Sequence, residues 1–547
     1  MKPILNRLQM TTLDRRAIDE IGIPTAVLME RAGYAVARAM RALLRRQEPS
    51  MRTALSVCGL GNNGADAVVA ARYLHGWRVP VEILVVGARG DAKPELEAQV
   101  AIAERLGIGV VFLDNTEAAG PRLEAALVRR NAIVDGLFGT GLSRPLAGLV
   151  RDVVVRLAAL GRPTVSVDIP SGVDADTGQE LGASIRADTT VSFQFPKLGH
   201  VLFPGRARAG RLVVADIGLP PSLLAPVLGE SSGRVAHRLD HEAVSDAFPT
   251  RSADVHKGTF GHLLIAAGTA YRPGAALLVG RAALRSGVGL ATLASDLATI
   301  QSVAPALDEL MGLPISGDGY EAKAAMLSDA LRVRSALAIG PSLEPTPETA
   351  EVVRRVLETC AEVPAVVDAG ALAALSAVSA GGPRGLRWLR DRAGDTLMTP
   401  HPGEMARLMG ISVAEVQKDR VEIARRLAGE TGSQVVLKGA STVVASPSGL
   451  VFVSLAGNPG MATGGSGDVL TGVLGALLAR GVSGALAARA GVWLHACAGD
   501  LAAQAFGPGL IASDIIGYLP KALQLVAKEE RGRGQDGGVG LSNGIGA

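Results

Sequence analysis

From Arg52 onward the chain alternates short apolar runs with segments in which apolar residues recur every three or four positions. The runs at 54–58, 81–86, 132–135 and 164–168 have the length and continuity of strands buried on both faces, and 65–75 and 93–107 between them have helical spacing. That alternation predicts a parallel sheet covered by helices. Ahead of it, 12–40 carries a helical pattern through Leu28-Met29-Glu30-Arg31-Ala32-Gly33. The pattern weakens over 220–250, where Pro220, Pro221, Gly229, Gly233 and Pro249 interrupt it. A second α/β series starts at 263–267 and continues through 336–339, 365–368, 397–399 and 435–437, and 441–445 with 450–454 read as a hairpin. The expected organisation is therefore one α/β domain at 1–221, a linker at 222–245, a second α/β domain at 246–528 and a Gly-rich, disordered tail at 529–547.

Composition narrows the partners. A chain of 547 residues exceeds one ordinary domain. With 48% hydrophobic residues but only 3% aromatics, its cores must be built from closely packed Ala, Val, Leu and Ile. A net charge of +3 without a long basic block gives no argument for nucleic acid. No window has the uninterrupted apolar length of a membrane span, and three scattered cysteines form no C-x-x-C, so a reducing cytoplasm is the default expectation. Cys58 and Cys497 read as small buried thiols.

The run Asn458-Pro459-Gly460-Met461-Ala462-Thr463-Gly464-Gly465-Ser466-Gly467-Asp468 leads straight into an apolar periodic segment. Glycines that let backbone N–H groups converge at a helix start make a pocket for negative charge. An Asp there repels a phosphate, so its expected task is to take a proton from a hydroxyl reacting beside that phosphate. Lys438, directly after a strand, is a point charge suited to a nucleotide phosphate, or else a solvated loop lysine. His401, stiffened between Pro400 and Pro402, suits either substrate contact or a structural hydrogen bond. Glu404 suits a helix cap as well as catalysis, His495 reads as a buried supporting histidine, and Ser513-Asp514 as a helix cap.

Between Lys257 and Pro520, the segments KGTFG, TPHPGEMARL, VVLKGASTV, GNPGMATGGSGD and HACAGD together resemble the ADP-dependent NAD(P)H-hydrate dehydratase family. The resemblance implies a ribokinase-like α/β fold. It implies a reaction in which ADP, or ATP, phosphorylates the hydroxyl of an S hydrate of NAD(P)H; with ADP the products are AMP, phosphate and NAD(P)H. Carried over by residue, Asp468 is the base and Gly464, Gly465, Ser466 and Gly467 hold the transferred phosphoryl group. Lys438, Gly439, Ala440, Ser441 and Thr442 meet the nucleotide, and Ala275 and His401 lie along the hydrate. Mg²⁺ is implied by the nucleotide rather than by a ligand cluster. The chain departs from the family at Ser342 and Glu344, where glycines are usual, and at Gly370, where a second Asp is usual.

In the first half, Cys58-Gly59-Leu60-Gly61-Asn62-Asn63-Gly64-Ala65-Asp66 joins a strand to a helix but breaks the spacing of a dinucleotide fingerprint. Asn63, Asp135 and Ser171 offer hard oxygens from three loops, suited to an alkali or alkaline-earth cation or to Asx turns and caps. Asp168, at a strand end, is the candidate here for proton transfer. Gly139-Thr140-Gly141-Leu142-Ser143-Arg144 reads as an anion cradle, Lys197 as a residue of the pocket rim, and Glu30 as a packing or loop-anchoring acid.

LMERAG, GLGNNGAD, VDGLFGTGLSRP and SVDIPSGVDADTG make residues 10–220 resemble the NAD(P)H-hydrate epimerase family. A Rossmann-like three-layer sandwich and interconversion of R and S hydrates follow as implications. Asn62, Asn63, Gly64, Ala65 and Asp66, with Gly139, Thr140, Gly141, Leu142, Ser143, Arg144 and Pro145, would hold the hydrate. Asn63, Asp135 and Ser171 would bind K⁺, and Asp168 would contact the reacting ring. Ala65 and Ala67 stand where the family has glycines, a difference that matters only if either needs a positive φ. Together the halves resemble a bifunctional repair enzyme for hydrated nicotinamide cofactors. A small-metabolite kinase that leaves phosphate on its product, and a nucleotide-sensing interaction protein without turnover, are the two rival readings. Whether the chain forms a homo-oligomer is left open.

Overall fold

The computed structural model describes residues 1–230, 235–379 and 382–533. Two compact units divide between Ala236 and His237, inside the segment expected as a linker. That segment is not extended chain: it holds a short helix, Leu224–Gly229, whose Val227 is buried in the first unit's core. The final helix, Ala512–Arg533, continues past the expected domain end at 528, and residues 534–547 of the expected tail lie outside the described residues.

In the first unit seven strands form one parallel sheet: β1 (Ala54–Cys58), β2 (Val81–Val86), β3 (Gly109–Leu113), β4 (Ala132–Gly136), β5 (Thr164–Val167), β6 (Thr189–Phe193) and β7 (Arg211–Ala215). Their order is β3-β2-β1-β4-β5-β6-β7. This is the doubly wound Rossmann order with one strand added, and it reverses direction between β1 and β4, where such sheets open a crevice at the strands' carboxyl ends. The strands are apolar throughout because both faces are covered. Ala54 and Cys58 of β1 face one core while Leu55 and Val57 face the other, completing three layers. Helix Thr25–Leu44 crosses helix Asn62–Gly76 so closely that a Cβ on Gly33 would lie 2.4 Å from Val69 Cγ1. The helical pattern over 12–40 thus resolves into two helices, Arg7–Asp19 and Thr25–Leu44.

The second unit has β8 (Ala236–Leu239), β9 (His262–Ala266), β10 (Leu290–Ser295), β11 (Leu310–Pro314), β12 (Ala336–Ile339), β13 (Ala365–Val367), β14 (Thr396–Met398), β15 (Gln434–Leu437), β16 (Val443–Ala445) and β17 (Val451–Ser454). They run in the order β8-β17-β16-β15-β14-β13-β12-β9-β10-β11. The stretch from β15 to β11 is parallel, and β15, β16 and β17 pair antiparallel, which includes the expected hairpin. Helices Gly274–Arg285, Ser466–Ala479, Gly484–Phe506 and Ala512–Arg533 share one core over this sheet. The scarcity of aromatics is answered by close helix crossings: a Cβ on Gly472 would lie 2.3 Å from the Val279 carbonyl oxygen.

Gly472→Val should therefore force the helices Ser466–Ala479 and Gly274–Arg285 apart and cost about 1–3 kcal/mol. Gly429, inside helix Arg420–Thr431, has open space around its missing Cβ. Gly429→Ala should stabilise by about 0.5–1 kcal/mol. Urea midpoints of the two variants moving the same way would sink this account of the packing.

Candidate functional sites

In the second unit the polar residues gather where strands end. β13 delivers Asp368 to the N-cap of helix Ala369–Val378. β15 delivers Lys438, whose N–H donates to the Pro400 carbonyl at 2.9 Å. The buried Arg420 guanidinium donates at 3.1 Å to the carbonyls of both Leu437 and Lys438, which fixes the loop. Lys438 Nζ donates to Asp368 Oδ1 at 2.6 Å, and Thr471 Oγ1 donates to Oδ2 at 2.7 Å. Burial works against the Asp368 charge, yet Lys438 and the Thr471 and Thr399 hydroxyls hold its carboxyl below the usual range. Burial also opposes the Lys438 charge, and Asp368 with Glu404 outweighs it, so the ammonium's pKa is raised.

The glycine run turns into a helix as the sequence implied. Gly465 sits at the N-cap of helix Ser466–Ala479 with φ +89, and a Cβ there would strike Leu278 Cδ1 at 2.4 Å. Asp468 is in the helix's first turn, one turn before Thr471. A Cβ on Gly467 would lie 3.4 Å from Lys438 Nζ and 3.9 Å from Asp368 Oδ2, so this turn faces the ion pair. Burial, then the Asp368 charge, pushes the Asp468 carboxyl up to about 6, with Lys438 opposing. His495 supports the turn, its Nε2 3.3 Å from Ser466 Oγ. Burial first, and Lys438 further, depress its pKa to about 4, so the ring is neutral at pH 7. Asp500 ties down the run's start by accepting from the Gly457 N–H and Asn458 Nδ2, both at 2.9 Å.

The other expected residues differ in position and task. His401 caps helix Pro402–Met409: its Nδ1 accepts from the Gly403 N–H at 3.0 Å, and Glu404 Oε2 accepts from the His401 N–H at 2.8 Å. The structural hydrogen bond considered for it is present, and its side chain is half exposed. Ser441 is buried with φ +56, Gly439 and Ala440 are exposed, and Ala275 is buried at the start of helix Gly274–Arg285. Ser342 also takes a left-handed φ of +57, and Glu344 is exposed. At Gly370 a Cβ would lie 2.0 Å from the Leu343 carbonyl oxygen, so this backbone has no room for the usual aspartate. Asp514 accepts from the Ile511 N–H at 2.9 Å, as a cap.

In the first unit, the loops after β1, β4, β5 and β6 meet at the crevice. Asp135 ends β4 fully buried and accepts from Ser171 Oγ (2.5 Å), the Ser171 N–H (2.9 Å) and Ser166 Oγ (2.8 Å). These donors are neutral, and burial raises its pKa against those hydrogen bonds. Asn63 Nδ2 is buried without a partner, and its Oδ1 lies 2.8 Å from where a Cβ on Gly139 would be. Leu142 departs from its expected place along the substrate: its side chain belongs to the core, while Ser143, Arg144 and Pro145 are exposed. Ala65 and Ala67 lie within helix Asn62–Gly76 and are not among the left-handed residues, so neither strains the loop. The demanding glycines are Gly59 and Gly64, where a Cβ would lie 2.0 Å and 1.9 Å from backbone oxygens.

Lys197 is a correction. It is not at a rim but wholly buried, because its Nζ donates to Asp168 Oδ1 (2.5 Å), Ser192 Oγ (3.0 Å) and the Phe193 carbonyl (3.2 Å). Asp168 has φ +63, and its own carbonyl is 2.8 Å from His200 Nε2. Asp66 is buried nearby, its pKa raised well above the usual range by burial and by Asp168 and Asp14. Glu30 pairs with Arg72 at 3.0 Å, an anchoring role. Sequence reasoning missed Asp14, Asp368 and Thr471. Asp368 had a readable signal, since it ends an apolar strand as Asp135 and Asp168 do. A groove of about 740 Å³ contains none of these residues; Arg31, Tyr34, Arg38, Arg46 and Arg211 are among those that line it. Among the described residues no cluster of three His, Cys, Asp or Glu side chains could hold a metal ion, and no helix is long and apolar enough to cross a membrane.

Comparison with known proteins gives two family matches, NAD(P)H-hydrate dehydratase over residues 263–521 and YjeF-related protein N-terminus over 25–199. The bifunctional NAD(P)H-hydrate repair enzyme Nnr of Moorella thermoacetica is 38% identical over 532 residues, covering 96% of this chain and 97% of that protein. Its counterpart in Thermofilum pendens is 39% identical over 531 residues, covering 95% and 96%. Among solved structures, the ADP/ATP-dependent NAD(P)H-hydrate dehydratase of Bacillus subtilis, co-crystallised with ATP and Mg²⁺, is 32% identical with a TM-score of 0.47, covering 53% of this chain and 98% of that one.

The Lys438–Asp368 pair has a measurable cost of removal. Lys438→Met strands a carboxylate that is almost wholly buried and should destabilise the second unit by about 3 kcal/mol at pH 7. Because the native pair lowers the Asp368 pKa, its contribution is present above pH 3.8 and lost as pH falls through the lower native value. In the variant that carboxyl can protonate instead, so the deficit should shrink toward pH 4. Hydrogen exchange across helix Ser466–Ala479 at both pH values checks this, and an unchanged deficit would count against it.

Proposed function

The chain belongs to the family of bifunctional NAD(P)H-hydrate repair enzymes, and from that premise we propose how its residues divide the work. The enzyme returns hydrated NAD(P)H to NAD(P)H by coupling dehydration of the S hydrate to nucleotide cleavage, and it interconverts the R and S hydrates. The observation that carries the first assignment is the placement of Asp468 in a glycine-built helix N-terminus facing the Lys438–Asp368 pair. Hydroxide is a poor leaving group and phosphate a far better one. As the ring hydroxyl attacks the terminal phosphoryl group of ADP, Asp468 takes its proton, and N–H groups at Gly464, Gly465, Ser466 and Gly467 hold the phosphoryl oxygens. The carbon–oxygen bond then breaks with push from the ring nitrogen, phosphate departs, and loss of a proton from the adjacent carbon restores the ring.

Lys438 carries the positive charge nearest this centre, with Gly439, Ala440, Ser441 and Thr442 continuing the loop along the nucleotide. Ala275 and the half-exposed His401 side chain border the hydrate. Mg²⁺, bound with the nucleotide, would neutralise phosphate charge. Enclosure from water would favour transfer to the hydrate over hydrolysis.

In the first unit, Asn62, Asn63, Gly64, Ala65 and Asp66 with Gly139, Thr140, Gly141, Ser143, Arg144 and Pro145 hold the hydrate, Leu142 packing into the core beneath them, and Asp168 reaches its ring. Asp135 is a fully buried carboxylate compensated only by neutral donors, which suits a monovalent cation. K⁺ would be held by Asn63, Asp135 and Ser171 and would supply that missing charge.

Incubation of mixed R and S NADH hydrates with Mg²⁺, K⁺ and either ADP or ATP, followed by chromatography, should show both epimers converted and phosphate released. Asp468→Asn should bind nucleotide yet lose dehydration by about 10²-fold or more. Asp168→Asn should block exchange and spare S-hydrate repair. Because the base must be ionised, wild-type dehydration should fall as pH drops through about 6. Full activity in Asp468→Asn would refute the assignment.

A further inference from the structure

Epimerisation makes a demand that Asp168 alone does not meet. The hydroxyl of one epimer leaves from one face of the ring and that of the other enters on the opposite face, so protons move on both faces. Asp168 cannot swing between them: Oδ1 is tied to Lys197 Nζ at 2.5 Å and to the Phe193 N–H at 3.3 Å.

A second carboxyl, on a different element, lies within electrostatic range of the same ion pair. Asp14 lies on helix Arg7–Asp19, among the inward residues Met10, Leu13 and Ala17, and is itself part-buried. The chain just before that helix is paired with the segment holding Lys197: the Leu5 N–H donates to the Pro196 carbonyl (2.9 Å) and the Leu198 N–H to the Leu5 carbonyl (3.2 Å). The Arg7 N–H donates to Asp176 Oδ1 at 2.6 Å, fixing the helix start to the loop beyond Asp168. Among the described residues the Asp14 carboxyl has no hydrogen-bond or ion-pair partner, and its oxygens are not sealed from solvent, so it can exchange protons with water. Burial pushes it up to about 6, with Lys197 opposing and Asp168 adding, and it in turn acts on Asp66.

We propose that Asp14 is the second proton-transfer residue of the epimerase site, serving the ring face that Asp168 does not. The proposal rests on the epimerase reading above. In one direction the carbon–oxygen bond breaks with its electron pair on oxygen, the Asp14 carboxyl proton makes the departing group water, and the ring nitrogen lone pair forms the C=N bond. Water then adds from the other face and loses its proton to Asp168. Exchange with solvent returns one proton to Asp14 and removes one from Asp168, and the reverse direction exchanges their roles.

The test uses the full chain with R NADH hydrate and no nucleotide, under conditions that suppress spontaneous exchange. Asp14→Asn should lower kcat for exchange about 10²-fold or more with little change in KM, and Asp14→Glu should recover part of it. With ADP added, both variants should dehydrate the S hydrate at the wild-type rate. Wild-type exchange in Asp14→Asn would overturn the proposal, as would equal losses in both variants that appear in KM. A wild-type chain that repairs the S hydrate but exchanges nothing would overturn the epimerase reading itself, and this proposal with it.

Discussion

A carboxylate at the carboxyl end of a buried parallel strand must be compensated, and twice in this chain a lysine does so. Lys438 meets Asp368 at 2.6 Å in one unit and Lys197 meets Asp168 at 2.5 Å in the other. Removing one partner of such a pair leaves a buried charge at a cost of about 3–5 kcal/mol, so each lysine is as much a structural element as a polar one. The pairs also set the electrostatics around them. Burial, and then the neighbouring Asp368 charge, raises the Asp468 pKa, while Lys438 keeps Asp368 charged. A carboxyl that titrates nearer neutrality and a carboxylate that stays charged are thereby distinguished by surroundings rather than by residue type.

Backbone geometry imposes the second constraint. Gly59 and Gly64 allow β1 to pass into its helix with carbonyls where side chains would otherwise sit, and Gly465 supplies the left-handed N-cap that turns the Asp468 helix toward Lys438. The differences at Ala65 and Ala67 fall outside these positions. Both are helical, and Ala67 fills the space that a side chain on Gly136 would claim at 2.4 Å. The difference at Gly370 is of another kind, because the Leu343 carbonyl occupies the place of its Cβ.

What was legible in the sequence follows from the same physics. β1, β2, β4 and β15 are buried along their whole length, so their apolar runs stand out. β6 and β10 are rich in Thr, Ser and Ala and β11 is broken by Gly312, so none of these shows a continuous apolar run, whereas the edge strands β3 and β7 carry short ones, 110–113 and 212–215, on partly exposed backbone. Asp468 and Asp168 were visible because each interrupts an apolar or glycine pattern. Lys197 was misread because a lone lysine after Pro196 looks like surface, and only the fold brings Asp168, Ser192 and the Phe193 carbonyl around its ammonium. Asp14 gave the weakest signal, one acid on a helix whose inward side is otherwise apolar.

The two units answer different chemical problems with the same element, a strand ending in an acid. Dehydration needs one proton removed while phosphoryl charge is held, which suits a single carboxyl beside converging N–H groups and an ammonium. Epimerisation transfers no phosphoryl group and so gains nothing from an anion pocket at the reacting carbon. Around Asp168 the first unit accordingly gathers the carboxyls of Asp66 and Asp135, with Asp14 in electrostatic range, against the buried Lys197. An excess of buried acid is tolerable only if some carboxyls stay protonated or a cation joins them. Burial raises the pKa of Asp14, Asp66 and Asp135 alike, and proton exchange between water and a ring hydroxyl is what such partly protonated carboxyls can catalyse.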